Sequence, residues 1–452
     1  MKPEPLSRVE NIPVQYHREP APEGDRARRF LEAFAAVLRH SNYGYLLDHF
    51  ARAGAKCGRC AVECPVYQAT GRPEDVPCAR SELLLKVYRR HFTAEGRLMA
   101  RVFAAPPLQD RDVEVMAEAF YRCTACRRCN LQCPMGLDHG IITHLARHLL
   151  SEIGIVPKAL VLAVREQLQG KTGNTSAIPV PALLDTLSFL EDDLKEKFNR
   201  EIKFPVDVEG ADYVFFPAVS DYLLEPDTLM GQALVFHLTG DSWTIGTGYF
   251  DGINYGLFYN DRHLEDIVHK EIAEVRRLKG KQILIGECGH ASRSAKAFVP
   301  TFAGERPPPV LNIMEYTERA VAAGKVKFNR DAIKERVTYH DPCNIARSGW
   351  VVEQPRRILR AMLKDFVDME PHGRENYCCG GGSGTVSVDE LRKFRTGIGG
   401  KRKAEQLRAT GARYVVAPCA NCKKQLREVI EDHKLDMEVV GLHDLILKAI
   451  AL

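Results

Sequence analysis

The chain has 452 residues, 45% hydrophobic and 27% charged, which suits a globular protein of two or three domains. Its formal net charge of +4 counts thiols as neutral, so it supports no nucleic-acid role. No run of about 18 apolar residues is present, so no membrane-spanning helix is expected, and 14 cysteines behind a polar start without a signal peptide's apolar core favour metal over disulfides.

Residues 1–25 read as an extended arm rich in proline and charge. Residues 26–53 carry apolar spacing suited to helix. The run KCGRCAVECP then brings Cys57, Cys60 and Cys64, and Cys78 follows in VPCARSELL. Helix is expected over 80–101 and 111–122. The next run, CTACRRCNLQCP, places Cys123, Cys126, Cys129 and Cys133 in the C-x2-C-x2-C-x3-C-P spacing of bacterial ferredoxins. In that spacing three close thiolates bind one cubane and the fourth reaches its neighbour.

Laid on this second run, Cys57, Cys60 and Cys64 match Cys126, Cys129 and Cys133, while Gly54 stands where Cys123 would. Cys78 is the nearby thiol that can replace the missing ligand. The expectation is one 4Fe–4S cubane on Cys57, Cys60, Cys78 and Cys133, and a second on Cys64, Cys123, Cys126 and Cys129. The competing reading makes Cys78 a buried core thiol and leaves the first cubane with an open or non-cysteine ligand.

A helical pattern over 141–170 completes a helical ferredoxin-like domain spanning 26–170. The small, polar, proline-containing stretch GKTGNTSAIPVP (170–181) reads as a linker. Beyond it helix and strand alternate: helix near 182–203, strand near YVFFP, helix near 226–239, strand near SWTIG, helix near 262–278, strand near QILIG. The rhythm returns from 336 onward, which argues for parallel sheets with helices on their faces. The fold class is therefore α + α/β, with α/β modules over 182–325 and 326–452.

The last module carries three cysteine clusters: HDPCN at Cys343, YCCGGGSG at Cys378 and Cys379, and PCANC at Cys419 and Cys422. Adjacent cysteines do not readily share one tetrahedral ion, but they can serve two irons of one cluster. The neighbouring glycines let the chain wrap a bulky inorganic group. A structural zinc site with a spare thiol is the competing use.

This five-thiol pattern resembles the CCG module of the heterodisulfide reductase family, which holds a non-cubane 4Fe–4S cluster. The order, ferredoxin-like domain first and CCG module second, resembles the family's D subunit. A single intact module is similar to the K subunit of the sulfite-reductase-linked membrane complex and the B subunit of the transmembrane cytochrome complex. The resemblance implies a cytoplasmic protein that docks on an integral-membrane haem b subunit, which exchanges electrons with quinone. It also implies other subunits and a disulfide or trisulfide substrate, proposed in those families to be a small protein with two redox-active C-terminal cysteines. The same module occurs in iron–sulfur subunits of lactate, glycolate and glycerol-3-phosphate dehydrogenases, which is the alternative function. A purely electron-transferring subunit is a third.

Residues 213–291 also compare with 338–422 as a worn repeat. Ala218 falls opposite Cys343, Phe250 and Asp251 opposite Cys378 and Cys379, Cys288 opposite Cys419, and Ala291 opposite Cys422. The first copy keeps only Cys288. A thiol beside a cluster, with His290 two residues on, is a candidate for handling sulfur, since thiolate is the reactive form. An unreactive remnant thiol is the alternative. His290 and His340 are the candidate proton carriers because imidazole titrates near neutral pH.

Overall fold

The computed structural model describes residues 8–20, 24–104 and 106–452. Parts of the expected N-terminal arm, residues 1–7 and 21–23, lie outside the described residues. Within 8–20 no helix forms, and one antiparallel bridge joins Arg18 to Pro157. Among the described residues no helix is long and apolar enough to cross a membrane.

The chain divides into two compact units. The first holds the described residues up to Val161, with Phe258–Asn260 and Gly380–Arg402; the second holds Leu162–Leu257, Asp261–Cys379 and Lys403–Leu452. The GGGSG stretch after Cys379 therefore belongs with the helical N-terminal part of the chain.

The first unit is helical. Its principal helices are Arg26–His40, Tyr43–Ala53, Pro77–Phe92, Ala94–Val102, Asp110–Tyr121 and His139–Glu152. Phe30, Phe34, Leu84, Phe120, Leu145 and Leu149 are wholly buried between them. Each such side chain contributes roughly 1.5–3 kcal/mol on leaving water. The helix expected over 80–101 is two helices. Thr93 adopts extended backbone and caps the second, its Oγ1 accepting from Gly96 N at 3.1 Å. The helix expected over 141–170 is also two, His139–Glu152 and Lys158–Gln169. Gly154, with φ of 79°, and Pro157 break it.

The second unit is built on two open parallel sheets. In the first, β1 (Tyr213–Phe216), β2 (Trp243–Thr244), β3 (Gln282–Ile285) and β4 (Val310–Asn312) lie in the order β2-β1-β3-β4. After the short β5 (Lys327–Phe328), the second sheet holds β6 (Val337–Tyr339), β7 (Phe366–Asp368), β8 (Tyr414–Val416) and β9 (Glu438–Val440) in the order β7-β6-β8-β9. A final strand, β10 (Ile450–Ala451), pairs antiparallel with β5. The central strands are almost continuously apolar because helices cover both faces. In each sheet the chain reverses its direction of travel between the first and third strands. Ligands of open α/β sheets bind at such a switch, beyond the carboxyl ends of the strands.

The sheet register moves one position of the sequence comparison. Val214 pairs with Ile283, and Val337 pairs with Tyr414. With Cys288 opposite Cys419, Ile283 falls opposite Tyr414, which makes Val214 the counterpart of Val337. Counting on, Ser220 and not Ala218 stands opposite Cys343. The shift arises because two more residues, His340 and Asp341, separate β6 from its proline than in the β1 loop.

The stretch read as a linker is packed. Asn174 is 1% exposed, and its Oδ1 accepts from Ser176 N and Ile178 N, closing a tight polar turn. Thr175 donates from N and Oγ1 to Asp251 Oδ2, at 2.8 and 2.9 Å.

Candidate metal centres

In the first unit the thiols separate into two cavities. Cys57, Cys60, Cys78 and Cys133 line one, together with Phe50, Leu85 and His139. Cys64, Cys123, Cys126 and Cys129 line the other, together with Arg80, Thr124 and His139. Each cavity thus takes three thiols from its own part of the sequence and one from the other run. None of the cysteines is in a disulfide. Four thiols outside any disulfide around one space are the donor set that an iron–sulfur cubane requires.

Local structure explains the aim of these thiols. Cys78 sits in the first turn of Pro77–Phe92, where unpaired backbone N–H groups favour a thiolate. Its pKa is held down at about 6, first by a hydrogen bond with Cys60 and, against burial, by backbone donors from Gly58, Ala79 and its own N–H. The Cys60 thiol is pushed up correspondingly, first by Cys78 and then by burial. In the ferredoxin run, Ala125 and Arg127 take positive φ of 47° and 63°. That turn lets Ala125 N donate to Cys123 Sγ at 3.3 Å, and Leu137 N donates to Cys133 Sγ at 3.4 Å.

Arg80 is 2% exposed, and its guanidinium lies 3.7 Å from Asp75. Arg122 holds the same carboxylate in a fork at 2.8 and 2.9 Å. Ser81 Oγ lies 2.8 Å from His139 Nδ1, and burial pushes His139 down to about 4, so the ring shared by the two cavities is neutral at physiological pH.

In the second unit, Cys343, Cys378, Cys379, Cys419 and Cys422 follow the carboxyl ends of three neighbouring parallel strands, β6, β7 and β8. Cys343 opens the short helix Cys343–Ala346 and is half-buried; the other four are buried. Cys419 caps Ala420–Asp432, and Cys422 lies in its first turn, at the positive end of the helix dipole. Cys379 Sγ is 3.6 Å from Cys422 Sγ. A ring nitrogen of His340 joins them, all three ligand atoms lying within 4.8 Å of one another. Hydrogen bonds from Cys378, Cys422 and His340 hold Cys379 well below the usual thiol range. The donor set again suits a metal–sulfur group.

The tautomer of His340 follows from its neighbours. Lys403 Nζ donates to Asn376 Oδ1 at 2.6 Å, which fixes the amide. Asn376 Nδ2 then faces His340 Nδ1 at 3.3 Å as a donor, leaving the ring proton on Nε2. Burial lowers the His340 pKa, so the ring is neutral.

Cys288 is wholly buried at the N-terminus of Gly289–Phe302. A Cβ built on Gly289 would stand 3.3 Å from Cys419 Sγ and 3.6 Å from Asn344 Cβ, so glycine lets the loops of Cys288, Cys343 and Cys419 meet. Cys288 Sγ lies 3.3 Å from His290 Nδ1, and His290 stacks on Tyr255 with ring centroids 5.5 Å apart. Burial pushes the thiol well up and the imidazole down to about 3, so the pair is thiol and neutral ring, not thiolate and imidazolium. Asp251, set opposite Cys379 by the sequence comparison, is buried and accepts hydrogen bonds from Thr175, Gln167 and Ile253.

Arg80, Arg147, Asn376 and Lys403 were not singled out by the sequence. Arg80, two residues beyond Cys78, and Asn376, two before Cys378, were the legible ones; Arg147 and Lys403 reach their places from remote segments.

Residues 55–137 match the family described as 4Fe-4S dicluster domain, and residues 337–427 match the family described as Cysteine-rich domain. Fold, thiol sets and these matches define an iron–sulfur protein with a dicluster ferredoxin-like part followed by a CCG part. The "Hdr-like menaquinol oxidoreductase iron-sulfur subunit 2" of Archaeoglobus fulgidus is 28% identical, over 94% of this chain and 83% of its own length. The D subunit of the dihydromethanophenazine:CoB--CoM heterodisulfide reductase of Methanosarcina barkeri is 24% identical, over 88% of this chain and 94% of its own. The "EtfAB:quinone oxidoreductase" of Syntrophomonas wolfei is 22% identical, over 83% of this chain and 54% of its own length. These matches and relatives support a heterodisulfide reductase D-subunit-like family for this chain.

Proposed function

We propose that this chain is the iron–sulfur subunit of a membrane-bound redox complex, carrying electrons between a quinone-linked haem b subunit and a disulfide or trisulfide. The partition of thiols supports it most directly: two four-thiol cavities in one unit and five thiols on adjacent strand ends in the other. In this reading Cys57, Cys60, Cys78 and Cys133 hold one cubane, and Cys64, Cys123, Cys126 and Cys129 hold a second. Cys343, Cys378, Cys379, Cys419 and Cys422 hold a non-cubane 4Fe–4S cluster. Bound there, the clusters supply single-electron storage and transfer and an iron able to hold substrate sulfur between two electrons.

The protein's own residues supply the rest. Buried Arg80 offsets negative charge at the second cavity, and neutral His139 separates the two cavities without titrating. Neutral His340 sets a ring nitrogen near Cys379 and Cys422, and Cys288 with His290 forms a neutral thiol–imidazole pair next to Cys419. The shared strand order of the two sheets favours two related α/β modules, over 182–325 and 326–452, the first without its cluster. The relatives' names, menaquinol and quinone oxidoreductases among them, favour a quinone-linked complex; the membrane partner, the cytoplasmic side and the setting in sulfur metabolism rest on the resemblance of the thiol pattern.

The test is anaerobic turnover by the purified chain with a reduced viologen dye. Added organic disulfide or trisulfide should reoxidise the dye, and Cys379→Ser should abolish this. If the dye reduces the clusters but no disulfide or trisulfide reoxidises them, the chain is an electron carrier only.

A further inference from the structure

Helix Ala94–Val102 and the turn after it form an uncovered apolar surface. Leu98, Met99, Val102 and Phe103 are 61%, 47%, 66% and 69% exposed, and no residue of the helix is buried. The helix folds back on Pro77–Phe92. A Cβ on Gly96 would stand 1.8 Å from the Arg89 carbonyl oxygen, so this glycine lets the two backbones touch. From 94 to 104 only Gly96 and Ala100 are part-covered; every other residue is exposed.

At about 3.6 residues per turn, Gly96 and Ala100 face the neighbouring helix, while Leu98 and Val102 point away from it. Met99 and Phe103 lie on one flank of that ridge, and Arg97 and Arg101 on the other. Both arginines are exposed and form no ion pair among the described residues. A groove beside Pro106–Leu108 adds Lys86, Arg90 and Arg111, with Val115 56% exposed at its edge. The groove's acid, Asp112, is engaged with Gln109 N at 2.9 Å; exposed Glu95, in the first turn, shares the ridge's side, about 4.5 Å along the axis from Leu98 and about 10 Å from Val102.

We propose that this helical hairpin seats on a membrane surface, with Leu98, Val102 and Phe103 at the headgroup–acyl boundary and Arg97 and Arg101 on anionic headgroups. An apolar ridge bordered by Arg97 and Arg101 is the surface that an anionic bilayer complements in both charge and apolarity. The ridge itself, as distinct from the groove beside it, does not offer the concave, enclosing wall on which a small ligand would dock. The contact is separate from any protein partner and independent of the substrate proposed above.

Flotation of the anaerobic full-length chain with vesicles tests it. The chain should float with phosphatidylglycerol–phosphatidylcholine vesicles and not with phosphatidylcholine alone, and salt should weaken the binding. Val102→Asp with Phe103→Asp, and separately Arg97→Glu with Arg101→Glu, should each weaken it roughly tenfold or more. Iron content and helicity should be unchanged, because neither pair is buried. No flotation of the wild type with either vesicle, or both variants floating as the wild type does, would overturn the proposal. Membrane binding seen only when an integral-membrane protein is present would overturn it too.

Discussion

Arg147 donates from Nη2 to the Cys123 carbonyl oxygen over 2.7 Å. The same guanidinium donates to the carbonyl oxygens of Phe120 and Ser383, each at 2.9 Å, and lies 4.5 Å from the centre of the Tyr121 ring. It is fully buried. One cation therefore ties the loop of a candidate cubane ligand to the stretch that follows Cys379 in the chain.

Removing that tie takes the donor from the Cys123 and Ser383 carbonyls, while the Phe120 carbonyl keeps Cys123 N at 3.2 Å; each lost bond costs roughly 1–3 kcal/mol. Arg147→Met should destabilise the first unit by about 3–5 kcal/mol. Arg147→Lys should recover only part of this, since an ammonium cannot reproduce the planar fork. Denaturant unfolding of anaerobic protein measures both; a methionine variant as stable as the wild type would show the network to be dispensable.

The thiol cavities predict a crossed pattern of damage. Cys64→Ser should perturb the same cluster as Cys123→Ser, and Cys133→Ser the same cluster as Cys57→Ser or Cys78→Ser. Electron paramagnetic resonance of the reduced variants distinguishes the two centres. Damage that follows sequence proximity, with Cys64→Ser matching Cys57→Ser, would refute the crossing.

Arg80 lines the cavity of Cys64, Cys123, Cys126 and Cys129. A buried cation favours the more negative, reduced state of a group held there. Arg80→Gln should lower that centre's midpoint potential by an amount on the order of tens of millivolts. Asp75 keeps its Arg122 partner, so the fold should persist. A redox titration that leaves both midpoints in place would exclude Arg80 as a tuning residue.

Cys288→Ala should leave all iron in place and slow disulfide turnover. Lost iron would make Cys288 a ligand or a structural support. Full iron with full turnover would make it a remnant of the repeat.

The spacing of thiols along the chain was legible because ligands of one cluster come largely from one short run, as in CTACRRCNLQCP. The β–α rhythm was legible for a related reason: buried parallel strands such as QILI stand out as apolar runs between amphipathic helices. What the sequence hid depends on segments remote in the chain. Nothing local in GGGSG says that a Cβ on Gly382 would stand 2.4 Å from the Thr124 carbonyl oxygen, or that Arg147 holds Ser383. Asn174 and Thr175 looked like linker residues because their polar groups suit a solvated loop equally well. Only their partners, such as Asp251, show them packed. The two extra residues before Pro342 were invisible to an alignment made on the proline itself.

The central claim is three iron–sulfur centres on one chain, the third able to meet a sulfur substrate. Iron analysis of anaerobically isolated protein, joined to electron paramagnetic resonance after oxidation with a thiol present, tests it most directly. Three centres require about twelve irons per chain and a thiol-dependent signal that Cys379→Ser abolishes. About eight irons with the second unit folded, and no signal that depends on thiol, would contradict it.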